Sequence, residues 1–190
     1  MIREPGAMEP LTTEALDAGL DEIRRSPTDD GRVELIVARP AIDERQELAE
    51  AELDVTVGVV GDNWEQRPSS RMADGKAHPD MQLNIMNARA IALISGDPSR
   101  WSLAGDQLYL DLDLSSENLP PGTRLALGSA VVEITAQPHT GCAKFGARFG
   151  LDAARWVNSP AGKELHLRGI NAKVVESGTV RIGDLAHKLP

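Results

Sequence analysis

Apolar residues recur along this chain with two different periods, and the change from one to the other organises it. Between residues 11 and 26, Leu16, Leu20 and Ile23 fall at i, i+4 and i+7, which is one face of an α-helix. Thr12 or Thr13 supplies its cap and Pro27 lies beyond its end, so this helix is expected outside the core. From Arg32 the period becomes two, with Val33, Leu35 and Val37 expected on one face of a strand that stops at Pro40. A second strand is predicted from Leu53 to Val57. The run Gly58-Val59-Val60-Gly61-Asp62-Asn63 follows it, where the glycines suit a tight turn, a close approach to a ligand or a plain loop. Gln82 to Met86 reads as a strand, and Asn87 caps a short apolar helix that runs through Ile94 and ends near Gly96. The clearest pattern lies in Asp106 to Leu114, where Leu108, Leu110, Leu112 and Leu114 alternate with polar or amphipathic residues. After a Pro120-Pro121-Gly122 turn, Arg124 to Leu127, Gly128-Ser129 and Ala130 to Thr135 predict a hairpin. Ile170 to Val175 and Thr179 to Ile182 are two further strands that meet at Ser177-Gly178. Short strands divided by turns favour a mainly β fold, a closed or nearly closed barrel with a few short peripheral helices, because closure removes exposed edges.

Two stretches break the β pattern. Residues 65 to 80 have no periodicity and hold Arg67, Pro68, Ser69, Ser70, Arg71, Gly75, His78 and Pro79. A loop of that length in a compact domain suits a binding loop, or else simple disorder. Pro138 to Gly169 contains a short helix over Asp152 to Val157, whose Trp156 is expected to anchor it to the barrel. The domain reading is an acidic helix or arm over 1–30, with eight acids and three bases, followed by a barrel over 31–190.

A chain of 190 residues supports one well-packed core. No apolar run is long enough to span a bilayer, and Met1 to Pro10 lacks the apolar core of a secretion signal. The expectation is therefore a cytoplasmic protein without a membrane partner. A net charge of −9 argues against nucleic acid, which needs clustered cations to neutralise phosphates. The charge is uneven, however: His139 to Lys173 carries Lys144, Arg148, Arg155, Lys163, Arg168 and Lys173 against Asp152 and Glu164, a local +4 that leaves −13 on the rest. Such a segment can receive a small anion such as a phosphate, or it can be ordinary solvated surface.

That basic segment surrounds the single cysteine, Cys142. Pro138-His139-Thr140-Gly141-Cys142-Ala143-Lys144-Phe145-Gly146-Ala147-Arg148-Phe149-Gly150 combines a thiol, neighbouring cations and glycines that let backbone approach a ligand. A thiol acts as nucleophile or metal ligand through its thiolate, which such cations favour; a lone cysteine can equally be core filling. With one cysteine there is neither an internal disulfide nor a four-thiolate metal site. His139 and Cys142 could ligate a metal only with help from elsewhere, since His78, His166 and His187 are scattered. No Walker loop, G-x-G-x-x-G or G-x-S-x-G motif is present, which speaks against nucleotide binding and serine hydrolysis.

Taken in order, Gly58-Val59-Val60-Gly61-Asp62, Gly105-Asp106-Gln107-Leu108, Asp113-Leu114-Ser115, Gly122-Thr123-Arg124-Leu125, the Pro-His-Thr-Gly-Cys loop, Arg168-Gly169-Ile170 and Gly178 to Asp184 resemble the MOSC family, named for the C-terminus of molybdenum cofactor sulfurases. The resemblance runs from about Gly31 to Lys188. It implies a β-barrel with an exposed cysteine, matched by Cys142, that binds molybdenum of the molybdenum cofactor (molybdopterin) through its sulfur or carries sulfur as a persulfide. His139, Lys144, Arg148 and Arg168 then become cofactor-binding candidates, with Asp62, His78 and Asn171 as further pocket residues. Some stand-alone relatives resemble reductases of N-hydroxylated compounds, which would bring in an electron-donor or sulfur-donor protein. The pyridoxal-phosphate domain of the full sulfurases has no counterpart here, so no pyridoxal phosphate site is expected. A non-catalytic module binding a small molecule or a protein, and a thiol redox switch at Cys142, are the alternatives; substrate and oligomeric state stay open.

Overall fold

The computed structural model describes residues 9–190, so the first eight residues of the acidic N-terminal arm lie outside it. Its strands are β1 (Gly31–Ala38), β2 (Gln46–Leu48), β3 (Glu50–Asp54), β4 (Gly58–Val59), β5 (Leu83–Asn87), β6 (Leu108–Asp111), β7 (Arg124–Leu127), β8 (Ala130–Ile134), β9 (Ile170–Glu176), β10 (Gly178–Arg181) and β11 (Leu185–Lys188). Its helices are α1 (Thr13–Ala18), α2 (Leu20–Arg24), α3 (Ala88–Ser95), α4 (Ala143–Phe149), α5 (Leu151–Val157) and α6 (Pro160–Glu164). Seven strands close into a barrel in the order β1-β11-β7-β8-β9-β5-β6 and back to β1. Among the described residues only β5 and β6 run parallel, and α3 makes the crossover such a pair requires. The Asn87 side chain caps α3 by accepting from the Ala90 amide, and Gly96 closes it in the left-handed conformation. Strand β2 extends the sheet beyond β1, while β3, β4 and β10 form a separate three-stranded sheet.

Two hydrophobic layers hold the barrel. Inside it, Val33, Ile36, Leu83, Ile85, Leu108, Leu110, Leu125, Val132 and Val174 pack with Leu53 and Val180 of the small sheet. Outside it, Leu35, Val37, Met86 and Tyr109 meet a helical layer that includes Leu16, Ile91, Phe145, Phe149 and Trp156. Strands β1, β5 and β6 are thus covered on both faces, with Leu35, Met86 and Tyr109 on the outer side and Val33, Ile85 and Leu108 on the inner one. Trp156 anchors α5 as expected, with its indole N–H donating to Asp17 of α1 at 2.8 Å.

The alternating leucines from Leu108 to Leu114 all enter the barrel core, as their spacing requires, and the β7–β8 hairpin pairs Leu127 with Ala130 across its turn. Other expectations need correction. Val33, Leu35 and Val37 do not share a face, because the register of β1 against β6 shifts between Val33 and Leu35. The extra residue, Glu34, reverses the alternation, so Val33 points inward with Ile36 while Leu35 and Val37 point to the helices. The helix of residues 11–26 is two helices divided at Gly19, where a Cβ would lie 2.5 Å from Leu93. The strand placed at Leu53 to Val57 starts and ends earlier, because β3 pairs with β10 over Glu50 to Leu53. β10 consequently leaves the barrel rather than pairing with β9. No helix among the described residues is long and apolar enough to cross a membrane.

Removing a barrel-core side chain should be costly and removing an exposed one should not. Leu112→Ala, at a fully buried position, is expected to lower unfolding free energy by about 2–5 kcal/mol, whereas Leu151→Ala, at a position 67% exposed, should stay within about 0.5 kcal/mol in urea denaturation.

Candidate functional site

The candidate site lies where β1 and β8 end and where β5, β6 and β9 begin. Asp106, just ahead of β6, is completely buried. Its carboxylate receives the Arg168 guanidinium at 2.6 Å and the His139 Nε2 at 2.9 Å. Burial opposes the charge on Asp106, but Arg168 and His139 outweigh it and hold the carboxyl at about 2, below its usual 3.8. For His139, burial and then repulsion from Arg168 dominate, and its pKa is lowered despite the neighbouring carboxylate. The consistent arrangement at neutral pH is an ionised Asp106 accepting from Nε2–H of a neutral His139, which leaves Nδ1 as the ring's lone-pair atom.

Arg168 ties this pair to the cysteine-bearing helix. Its guanidinium donates to the Ala104 carbonyl at 3.0 Å and lies 4.9 Å from the centroid of the Phe145 ring, a cation–π contact. Phe145 sits three residues after Cys142, the N-cap of α4, whose thiol is exposed. Gly169 permits the approach of this strand: its φ is +110° and a Cβ would stand 2.3 Å from the Ile85 carbonyl oxygen. The Pro138 to Cys142 loop is fixed from the other side by Asn158, which accepts from the Gly141 amide at 3.0 Å and donates to the Gly141 carbonyl at 3.1 Å.

Beside His139 lies a cavity of about 330 Å³ whose walls include Arg39, Trp64, Arg67, Arg71, His78 and Asn84. The aperiodic loop of residues 65–80 supplies much of this wall. All three guanidinium nitrogens of Arg39 are engaged: it binds Asp62 through two of them at 2.7 and 2.9 Å, the Asn84 amide oxygen at 3.0 Å and the Gly105 carbonyl at 2.9 Å. Arg67 is less engaged. Its Nε donates to Asn63 at 2.7 Å. Burial first, and repulsion from Arg39 next, pull its pKa down to about 10. Arg71 donates to Gln137 at 2.7 Å, which fastens the loop to the chain ahead of His139.

Of the sequence candidates, His139 and His78 line this cavity. Asp62 and Asn171 stand behind it, Asp62 through Arg39 and Asn171 through a 2.6 Å bond from Asn84. Arg168 is buried against Asp106. Lys144 and Arg148 turn to Asp43 instead, at 3.1 and 2.9 Å, and Cys142 is absent from the cavity wall. Sequence reasoning did not single out Arg39 as a wall residue, and it noted Arg67 and Arg71 only as members of a loop. Asp106 appeared there within a motif, without a role. Its partners lie 33 and 62 residues away, beyond what local spacing reveals.

Residues 77–186 match the family described as the MOSC domain. Among solved structures, the YuaD protein from Bacillus subtilis superposes with a TM-score of 0.59 at 18% identity, over 83% of this chain and 94% of that one. YiiM from Escherichia coli superposes at 0.54 with 19% identity, over 84% and 70%. YiiM from Geobacillus stearothermophilus gives 0.53 at 14% identity, over 85% and 74%. At these identities the likeness is one of fold. No curated protein matches the chain.

Asp106→Asn leaves Arg168 and His139 around an uncharged amide and should cost about 3–5 kcal/mol. Because the folded pKa of Asp106 lies below its unfolded 3.8, its contribution is complete above about pH 4 and is lost as the pH falls through about 2. Urea midpoints of the wild type and D106N should therefore differ most above about pH 4 and converge below it; a gap independent of pH would contradict this account.

Proposed function

Because this chain belongs to the MOSC domain family, we propose that it binds the phosphate end of a molybdopterin-type molybdenum cofactor in the arginine-lined cavity, with Cys142, outside the cavity wall and three residues after His139, as its sulfur ligand. The observation that carries this reading is Arg67. A cation desolvated far enough to lower its pKa to about 10, with Nε as its only hydrogen-bonding atom among the described residues, is prepared for an anion. Arg71 and His78 add donors to the same wall, and Ser69 and Ser70 add hydroxyls. These groups fit a phosphate, and the Trp64 ring offers a flat surface to a pterin. When bound, such a cofactor supplies a redox-active metal. The chain's own part is to hold the phosphate at Arg67 and Arg71, to keep His139 neutral against Asp106, and to present a soft sulfur from the loop that follows His139.

The exposure of Cys142 favours a second reading, sulfur carriage. Its thiolate would attack the outer sulfur of a donor persulfide; the new Cys142–sulfur bond forms as the donor S–S bond breaks, and the donor leaves as a thiolate. No external oxidant or reductant is needed. Either role is consistent with a cytoplasmic protein served by an electron-donor or sulfur-donor partner.

Molybdenum and pterin content of protein purified anaerobically from a cofactor-competent host tests the first reading. Wild type is expected to carry both, Arg67→Gln to lose most of the pterin, and Cys142→Ala to lose metal. Absence of both from wild type, with Cys142 found one sulfur atom heavier by mass spectrometry, would replace cofactor binding with sulfur carriage.

A further inference from the structure

A second cavity, of about 300 Å³, shares His139 with the arginine-lined one. Hydrocarbon dominates its walls, with Leu119, Pro121, Ile134, Ala136, Val157 and Ile170 among them. Most of its polar groups are already committed. The Thr135 hydroxyl donates to the Asp80 carbonyl at 2.6 Å, Asn158 clamps Gly141, and the Gln137 amide oxygen accepts from Arg71. Lys163, on α6, is different: it lines the cavity, and its ammonium has neither an ion pair nor a hydrogen bond among the described residues. His166 lies in the same wall, with its Nδ1 2.6 Å from the Leu114 carbonyl. A carbonyl only accepts, so Nδ1 carries the hydrogen, and Nε2 is the free ring atom.

The charge balance of these walls is one-sided. The whole chain carries −9, yet no aspartate or glutamate lines this cavity, and its one ammonium is unpaired. A volume near 300 Å³ with apolar walls and few free polar groups suits a small organic molecule. We infer that this cavity binds a small carboxylic acid with an apolar body, its carboxylate at Lys163 and its hydrocarbon between Leu119, Ile134 and Val157. The binding claim stands by itself; that the acid would be a substrate meeting the cofactor across His139 rests on the function proposed above.

Fluorine NMR titrations of the full chain with 4-(trifluoromethyl)benzoate and the uncharged 4-(trifluoromethyl)benzyl alcohol test it. The acid should bind wild type more tightly than the alcohol. Lys163→Met should weaken the acid about fivefold and leave the alcohol unchanged, as a charge pair at an exposed lysine predicts. Ala136→Trp, at an exposed wall position, should abolish binding of both. Equal affinity of the acid for wild type and Lys163→Met would overturn the inference. So would displacement of the acid by inorganic phosphate or its loss in Arg67→Gln, either of which would put the acid in the arginine-lined cavity. If the protein carries no molybdenum or pterin but the Lys163→Met effect appears, the functional reading falls and this inference stands.

Discussion

A carboxylate with no exposure to water has to be matched by cations or hydrogen-bond donors, and at Asp106 that requirement organises one end of the barrel. Burial alone would favour its neutral form, and Arg168 and His139 together reverse that preference. Each partner brings a segment with it. Arg168 enters from the residues ahead of β9, and His139 from the loop that leaves β8. Arg168 also carries the Phe145 ring on its guanidinium, so the helix capped by Cys142 is fixed to the same buried charge. Three stretches distant in sequence are thereby held within one hydrogen-bonded set, on a barrel whose packing does not otherwise require a charge at its end.

The ion pair has a chemical consequence as well as a structural one. An ionised Asp106 keeps its hydrogen-bonded histidine in one tautomer, while burial and Arg168 keep that ring uncharged. His139 therefore offers a lone pair at the boundary between two cavities of contrasting character. One is walled by arginines, of which Arg39 is ion-paired with Asp62 while Arg67 has no ion pair among the described residues. The other is apolar, with the ammonium of Lys163 as its charge. In a chain of net charge −9, each of these two cavities thus holds a cation without an ion pair among the described residues.

Much of the fold was legible because it obeys local rules. Leucines at 108, 110, 112 and 114 alternate and all reach the barrel core, although β6 itself ends at Asp111 and Tyr109 covers its other face; Gly128-Ser129 turns a hairpin, and the Asn87 side chain caps α3. What escaped was non-local or small. The one-residue bulge at Glu34 inverts a face without changing composition. Helix α4 is seven residues long and contains Gly146, so neither length nor propensity marks it. For the site, the Pro-His-Thr-Gly-Cys loop was visible as chemistry, while the roles of Asp106 and Arg39 depend on partners reached only through the closed barrel. Lys144 and Arg148 looked like anion ligands because they flank the thiol; in the fold they share Asp43.

The measurement that bears most directly on this arrangement is the nitrogen spectrum of the His139 ring. Long-range proton–nitrogen correlation at neutral pH, assigned by difference from a His139→Gln variant, should show one protonated nitrogen, Nε2, and one bare nitrogen, Nδ1. A ring protonated on both nitrogens, or on Nδ1 alone, would contradict the account, because Asp106 would then not be the group that sets the state of the site.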